Sequence, residues 1–215
     1  MLKRFFDVSF SMLLIIIFLP LFFFLILIYA FFFNGKPIYV SKRIGIKLKE
    51  FKIYKFRSMV KNAENLGPEV SGLNDKRNLV IGRFIRLTKI DELPQLFNIL
   101  IGDMSFVGPR PNFKKLVDKY PNDVKEALHN LKPGLTDYSS LIFRDLDSYV
   151  KDINFEKKYY DEVEPLKKLL IKKYYQKNSF FIDLKIIFFT VTSILRIYKF
   201  TLKDLIFFFN IDVQK

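Results

Sequence analysis

The hydrophobic pattern opens with one long apolar run. Val8 to Phe33 is 26 residues without a charge. As a helix it reaches roughly 39 Å, enough to cross a hydrocarbon core of about 30 Å. It is too long for a signal-peptide core, and no small-residue cleavage site follows. Pro20 stands near its middle, where the missing amide hydrogen bends a helix. Two paths follow: a straight span, which hydropathy by itself favours, or a broken helix that returns to the face it entered. Both flanks are basic, with Lys3 and Arg4 before and Lys36, Lys42, Arg43, Lys47, Lys49 and Lys52 after. The heavier cluster places the downstream part in the cytoplasm on either path.

The pattern then shortens. Ile38–Ser41 and Phe51–Met59 alternate as two strands joined by a basic turn at Gly45. Lys55 and Arg57, two apart, share a face of the second strand. Lys61 to Asn78 is polar, with Gly67, Pro68, Gly72 and Asn74, and reads as a loop. Leu79 to Leu87 predicts a short helix carrying Arg83 and Arg86. Leu93, Leu96, Phe97 and Leu100 recur at helical spacing, so a helix with one apolar face starts near Glu92. Thr88 or Asp91 caps it, Pro94 sits in its first turn and Gly102 ends it.

Further on, Asn112 is placed to cap a helix to Tyr120, and Pro121 starts another toward His129. KPGLTDYSS reads as turn and strand. Residues 154–177 are helical, with Pro165 allowed at a new first turn. Ser179 caps FFIDLKIIFFTVTSIL, whose wide apolar surface suits a buried or membrane-facing helix. The final TLKDLIFFFN is amphipathic and suits either a membrane interface or ordinary packing. The fold class expected is α+β and mostly helical. It has a small β-hairpin and amphipathic interfacial helices, divided into a membrane helix (1–34) and a catalytic domain on the membrane surface (35–215).

Composition removes several classes of chemistry. The 215 residues include no Cys and one His, His129. Disulfides, zinc–thiolate sites and multi-histidine metal sites are excluded. His129 has no matching nucleophile motif and reads as structural. The formal charge is +14, from 36 Lys+Arg against 22 Asp+Glu. Such a surface is compatible with anionic lipid, nucleotides or nucleic acid. Basic and aromatic residues form no recognisable nucleic-acid motif, so nucleic acid is not an expected partner. A non-enzymatic, membrane-anchored basic binding module is the alternative to an enzyme.

The candidate chemistry lies in Arg86–Pro111, RLTKIDELPQLFNILIGDMSFVGPRP. Asp91 and Glu92 are adjacent carboxylates, with Arg86 and Lys89 just before them. Plain helix capping explains them by about 0.5–2 kcal/mol. The chemical alternative is a carboxylate beside cations acting as a nucleophile toward phosphorus.

FKIYKFRSM (51–59), IDELPQLFNIL (90–100), GDMSFVGPRP (102–111) and KPGLTD (132–137) together resemble the bacterial sugar transferases. These are monotopic phosphoglycosyl transferases that start glycan assembly on polyprenol phosphate. The resemblance runs from Lys3 to about Ile197 and implies the small form without additional N-terminal spans. It implies a re-entrant helix bent at Pro20. It implies Asp91 as nucleophile with Glu92 beside it, Mg²⁺ held by Asp91, Glu92 and Asp103, and substrate phosphate bound by Lys55, Arg57, Arg86, Arg110 and Arg144. The implied partners are a UDP-sugar, undecaprenyl phosphate and membrane lipid at the cytoplasmic face of the bacterial inner membrane. Two departures stand out. Leu19 precedes Pro20 where many members have Ser. Asp137, Tyr138, Ser139 and Ser140 stand where commoner members read Gly-Trp-Ala-Gln.

Overall fold

In a computed structural model, residues 1–32, 36–67, 75–144 and 155–212 are described. The chain forms two compact units, Met1–Lys42 with Lys52–Gly102, and Arg43–Phe51 with Asp103–Lys215. The apolar run therefore packs as part of a larger body that includes residues 52–102.

Helix α1, Leu2–Phe32, is α-helical throughout and contains Pro20. It is long and apolar enough to cross a membrane. Asp7, Ser11, Phe22, Leu25 and Tyr29 are buried, and their spacing marks one helix face. Met12, Leu13, Ile16, Ile17, Leu19, Phe23 and Phe24 are exposed. Strands β1 (Ile38–Ile44) and β2 (Glu50–Phe56) pair as a two-stranded sheet. At its tip Lys47 and Leu48 take positive φ, 59° and 56°.

Phe22 and Leu25 of α1 join Phe56 of β2 and Ile85 of α2 (Val80–Leu87) in one core cluster. Gly82 lets α2 approach β2's exit closely, since a Cβ there would meet Ser58 O at 1.8 Å. Helix α3, Gln95–Ile101, ends at Gly102 with φ 101°, as its sequence predicts. Its buried face is not the expected one. Gln95, Leu96, Asn98 and Ile99 are buried, while Phe97 is 42% exposed. Asn98 explains the rotation. Its amide receives Tyr54 N at 3.1 Å and donates to Lys52 O at 2.7 Å, tying α3 to β2. Phe97 still touches Phe22, at 5.9 Å between ring centroids. Arg4, near the other end of α1, donates to Ile99 O at 2.6 Å and Leu100 O at 2.8 Å. Those are last-turn carbonyls of α3, where a cation is favoured.

In the second unit, β3 (Ser105–Val107) and β4 (Gly134–Thr136) run parallel, with Ser105 opposite Gly134 and Val107 opposite Thr136. Gly108 and Gly134 permit the contact. A Cβ on Gly134 would lie 2.1 Å from Gly108 N, and one on Gly108 2.1 Å from Lys132 O. Helix α4 is Lys114–Val117 and α5 is Asn122–Asn130. Asn112 does not cap α4. Phe113 holds that position, and Asn112 Nδ2 instead donates to the Tyr120 hydroxyl at 3.1 Å. KPGLTDYSS is only partly strand, because Asp137 caps a further helix, α6 (Tyr138–Ile142), by accepting from Ser140 N.

Helix α7 (Phe155–Lys158) passes through a π-turn, Tyr159–Val163, into α8 (Glu164–Lys177). Ser179 caps α9 (Phe180–Ile194) through Ile182 N, as expected. Along and just past α9, Phe181, Leu184, Phe188, Val191 and Leu195 form an exposed stripe. Helix α10 (Leu202–Phe209) starts at a capping box of Thr201 and Asp204. It buries Leu205 and Phe209 and exposes Ile206 and Phe207, so packing accounts for one face. Of the expected loop at 61–78, Pro68, Gly72 and Asn74 lie outside the described residues, as do Phe33 and residue 154.

Candidate active site

Asp91 does not cap an α-helix. Lys89, in a left-handed conformation at φ 60°, leads into one 3-10 turn, Ile90–Glu92. Pro94 then occupies the cap position of α3, without a side-chain cap. The turn directs the two carboxylates to different surroundings. Glu92 Oε1 meets Lys55 Nζ at 3.0 Å, with both side chains partly buried. Asp91 is 7% exposed. Its Oδ1 is buried without a hydrogen-bond partner among the described residues. Capping would have supplied a backbone N–H partner for that oxygen, so capping alone does not explain this aspartate.

Burial pushes the Asp91 carboxyl up to about 6, and the adjacent Glu92 charge pushes the same way. Lys55, Lys89 and Arg86 oppose the shift without cancelling it. At neutral pH Asp91 is therefore mostly ionised, buried, and free at one oxygen. That is the state a nucleophile requires.

Lys55 reaches Glu92 because Asn98 fixes β2 against α3. Arg57 lies one residue beyond β2, and its main-chain carbonyl accepts the Tyr29 hydroxyl from α1. Its Nε is buried without a partner among the described residues. The Tyr29 hydroxyl feels the charges of both Arg57 and Asp91. Sequence reasoning missed both Tyr29 and Asn98. Each is a polar side chain inside an apolar helical stretch, and that signal was available.

Arg110, Arg144 and Asp103 belong to the second unit. Arg110 N donates to Asp137 Oδ2 at 3.3 Å, and Asp137 also accepts from Ser139 Oγ at 2.8 Å and Ser140 N at 2.7 Å. The Pro109–Pro111 loop is thus held by the cap of α6. Arg144 follows α6 and donates to Ile194 O at 3.3 Å. Asp103 is half-buried. Among the described residues, no three His, Cys, Asp or Glu side chains group to hold a metal ion. The adjacent pair Asp91 and Glu92 still fits a hard cation, because Asp91 Oδ1 is an open acceptor and Mg²⁺ often takes one or two carboxylates plus substrate phosphate.

The sequence profile of one family, bacterial sugar transferase, matches residues 1–197. The chain belongs to the bacterial sugar transferase family. Within this family it is 34% identical, over 75% of its length, to an Aeromonas hydrophila protein named UDP-N-acetylgalactosamine-undecaprenyl-phosphate N-acetylgalactosaminephosphotransferase. It is 36% identical, over 91% of its length, to the undecaprenyl-phosphate galactose phosphotransferase of Salmonella typhimurium. These matches cover 36% and 40% of those two proteins, so the chain spans about two fifths of their length or less. The exopolysaccharide production protein ExoY of Rhizobium meliloti is nearer in size; the match is 31% identical and covers 90% of this chain and 85% of that one.

Proposed function

We propose that this bacterial sugar transferase moves a sugar-1-phosphate from a UDP-sugar to undecaprenyl phosphate, in two steps through Asp91. The observation that carries the proposal is the buried, partnerless Oδ1 of Asp91 beside a Glu92 already engaged by Lys55. The names of the relatives supply the acceptor and the substrate class.

In the first step an Asp91 carboxylate oxygen attacks the sugar-bearing phosphorus. The bond from that phosphorus to the bridging oxygen breaks, and UMP leaves with the electron pair. In the second, an oxygen of undecaprenyl phosphate attacks the same phosphorus. The aspartyl–phosphorus bond breaks, the carboxylate is restored and undecaprenyl diphosphate sugar is released. A carboxylate approaching a diphosphate meets repulsion, so fixed cations must offset it. Lys55, Arg57 and Arg86 lie in the unit that holds Asp91. Arg110 and Arg144 are assigned to substrate phosphate on the family pattern. Glu92 holds Lys55 in place. Asp91 and Glu92 would hold Mg²⁺, which when bound neutralises diphosphate charge.

The setting is the cytoplasmic face of the inner membrane, with α1 re-entrant. The basic residues on both flanks of the apolar run favour that path, with Lys3 and Arg4 before and Lys36 and Lys42 after, because a straight span would leave Lys3 and Arg4 outside. The exposed apolar stripes of α9 and α10 then rest in the interface.

The test is UMP release from a panel of UDP-sugars, with and without undecaprenyl phosphate. Release with at least one sugar, lost in EDTA and restored by Mg²⁺, is expected. Absence of release across the panel defeats the proposal, and full activity in thoroughly chelated buffer removes the metal.

A further inference from the structure

The second unit carries a buried polar group that the steps above do not use. The π-turn Tyr159–Val163 interrupts the helix between α7 and α8. Such turns recur at functional sites. Just after it, Tyr120 donates to Glu164 Oε1 at 2.6 Å and itself accepts from Asn112, two residues beyond Arg110. Lys167, one turn further along α8, donates to the Tyr159 hydroxyl at 2.8 Å.

Two capacities are left unfilled. Glu164 is 3% exposed, and its Oε2 is buried without a partner among the described residues. A buried orphan oxygen of this kind demands an explanation. Lys167 has three donors, and among the described residues its ammonium meets a neutral phenol with no carboxylate at ion-pair distance. Burial pushes that ammonium down to about 8, the Glu164 carboxylate opposes this, and the nearby Arg110 charge adds to it. An arriving anion would relieve a cation held down in this way.

We propose that Lys167 and Glu164 form a subsite beside Arg110 for a nucleoside phosphate, with the Lys167 ammonium on a phosphate oxygen and Glu164 Oε2 accepting from a hydroxyl or imide N–H of the same ligand. A phosphate joined to O–H or N–H groups can satisfy both at once, its anionic oxygens meeting the Lys167 ammonium and its O–H or N–H meeting Glu164. The inference rests on the transferase reading and names where its soluble donor is gripped.

The test uses the full chain in lipid nanodiscs, with UDP binding by calorimetry and UMP release measured side by side. Lys167→Met is expected to weaken UDP about tenfold or more, equivalent to losing one charge-assisted contact. It should raise KM for the UDP-sugar more than it lowers kcat, and Lys167→Arg should recover most of the loss. Glu164→Gln should weaken UDP while leaving competition by inorganic phosphate unchanged. Thermal melting separates a structural role, which would lower Tm and leave KM in place. If Lys167→Met does not fold, Lys167→Arg and Glu164→Gln carry the test. Wild-type UDP affinity in folded Lys167→Met, or in Glu164→Gln, overturns the subsite and leaves the transferase reading intact. A wild type that binds UDP through these residues but releases no UMP overturns the transferase reading and supports the subsite. A wild type that binds no UDP overturns the subsite.

Discussion

Lys55 Nζ sits 3.0 Å from Glu92 Oε1, while the neighbouring Asp91 keeps an oxygen without a partner. One lysine is thus committed to the second carboxylate, and its charge still reaches the first. On the proposed mechanism, the arrangement makes Asp91 both reactive and sensitive to pH.

Activity should therefore fall on acidification as Asp91 takes up its proton near pH 6. Lys55 lowers that value, so Lys55→Met should move the acid limb of kcat/KM to higher pH as well as reducing the maximum. A pH–rate profile measured between pH 5 and 9 checks this. An unmoved acid limb in a variant that retains measurable activity would show that the limb belongs to another group.

Asp91→Asn should abolish turnover yet make the protein more stable at alkaline pH. The folded value, about 6, lies above the ordinary 3.8, so the native state holds the extra proton. Wild-type stability is then fullest below the unfolded value and is lost as pH rises through about 6. The loss is on the order of 2–3 kcal/mol, which the amide variant escapes. Melting curves of the two forms should diverge by clearly more at pH 8 than at pH 4.5. Retained UMP release by the purified variant would end the nucleophile assignment.

Much of this site is legible in the sequence because it rests on short-range signals. Gly102 stops α3, Ser179 caps α9, and the Asp91–Glu92 pair stands out as adjacent charge. Long-range polar contacts are not legible in that way. Nothing in the local spacing says that Asn98 will reach back to Lys52, and that contact turned Phe97 outward. Asn112 satisfies every local rule for a cap, but the Tyr120 hydroxyl claims its amide. The cap of α6 was hidden because Asp137 directly follows a strand residue.

Arg110→Ala should reduce kcat/KM by at least tenfold more than Lys49→Ala. Arg110 is half-buried in a loop fixed by two prolines and by Asp137, whereas Lys49 is exposed at the hairpin tip. Parallel steady-state kinetics on the two variants decides. Equal losses would mean that bulk charge matters and that Arg110 makes no specific phosphate contact.

Both chain ends should face the cytoplasm. Single cysteines at Ser9 and Asp212, in this cysteine-free chain, should resist a membrane-impermeant thiol reagent in intact cells and react after lysis. Labelling at Ser9 from outside, with Asp212 protected, would establish a straight span. Pro20→Leu restores the amide hydrogen that a continuous helix uses, and should shift labelling in that direction.

Phe22 and Leu25 complete the cluster made by Phe56 and Ile85. Deleting the N-terminal helix to obtain a detergent-free enzyme would therefore strip two buried side chains from the unit that carries Asp91. Each such loss costs roughly 2–5 kcal/mol, a large fraction of a domain's whole stability. In the proposed membrane setting, the lipid around α1 is then a component of the folding equilibrium. Acyl-chain length and detergent choice should tune the enzyme's melting temperature, and purification conditions become experimental variables in their own right.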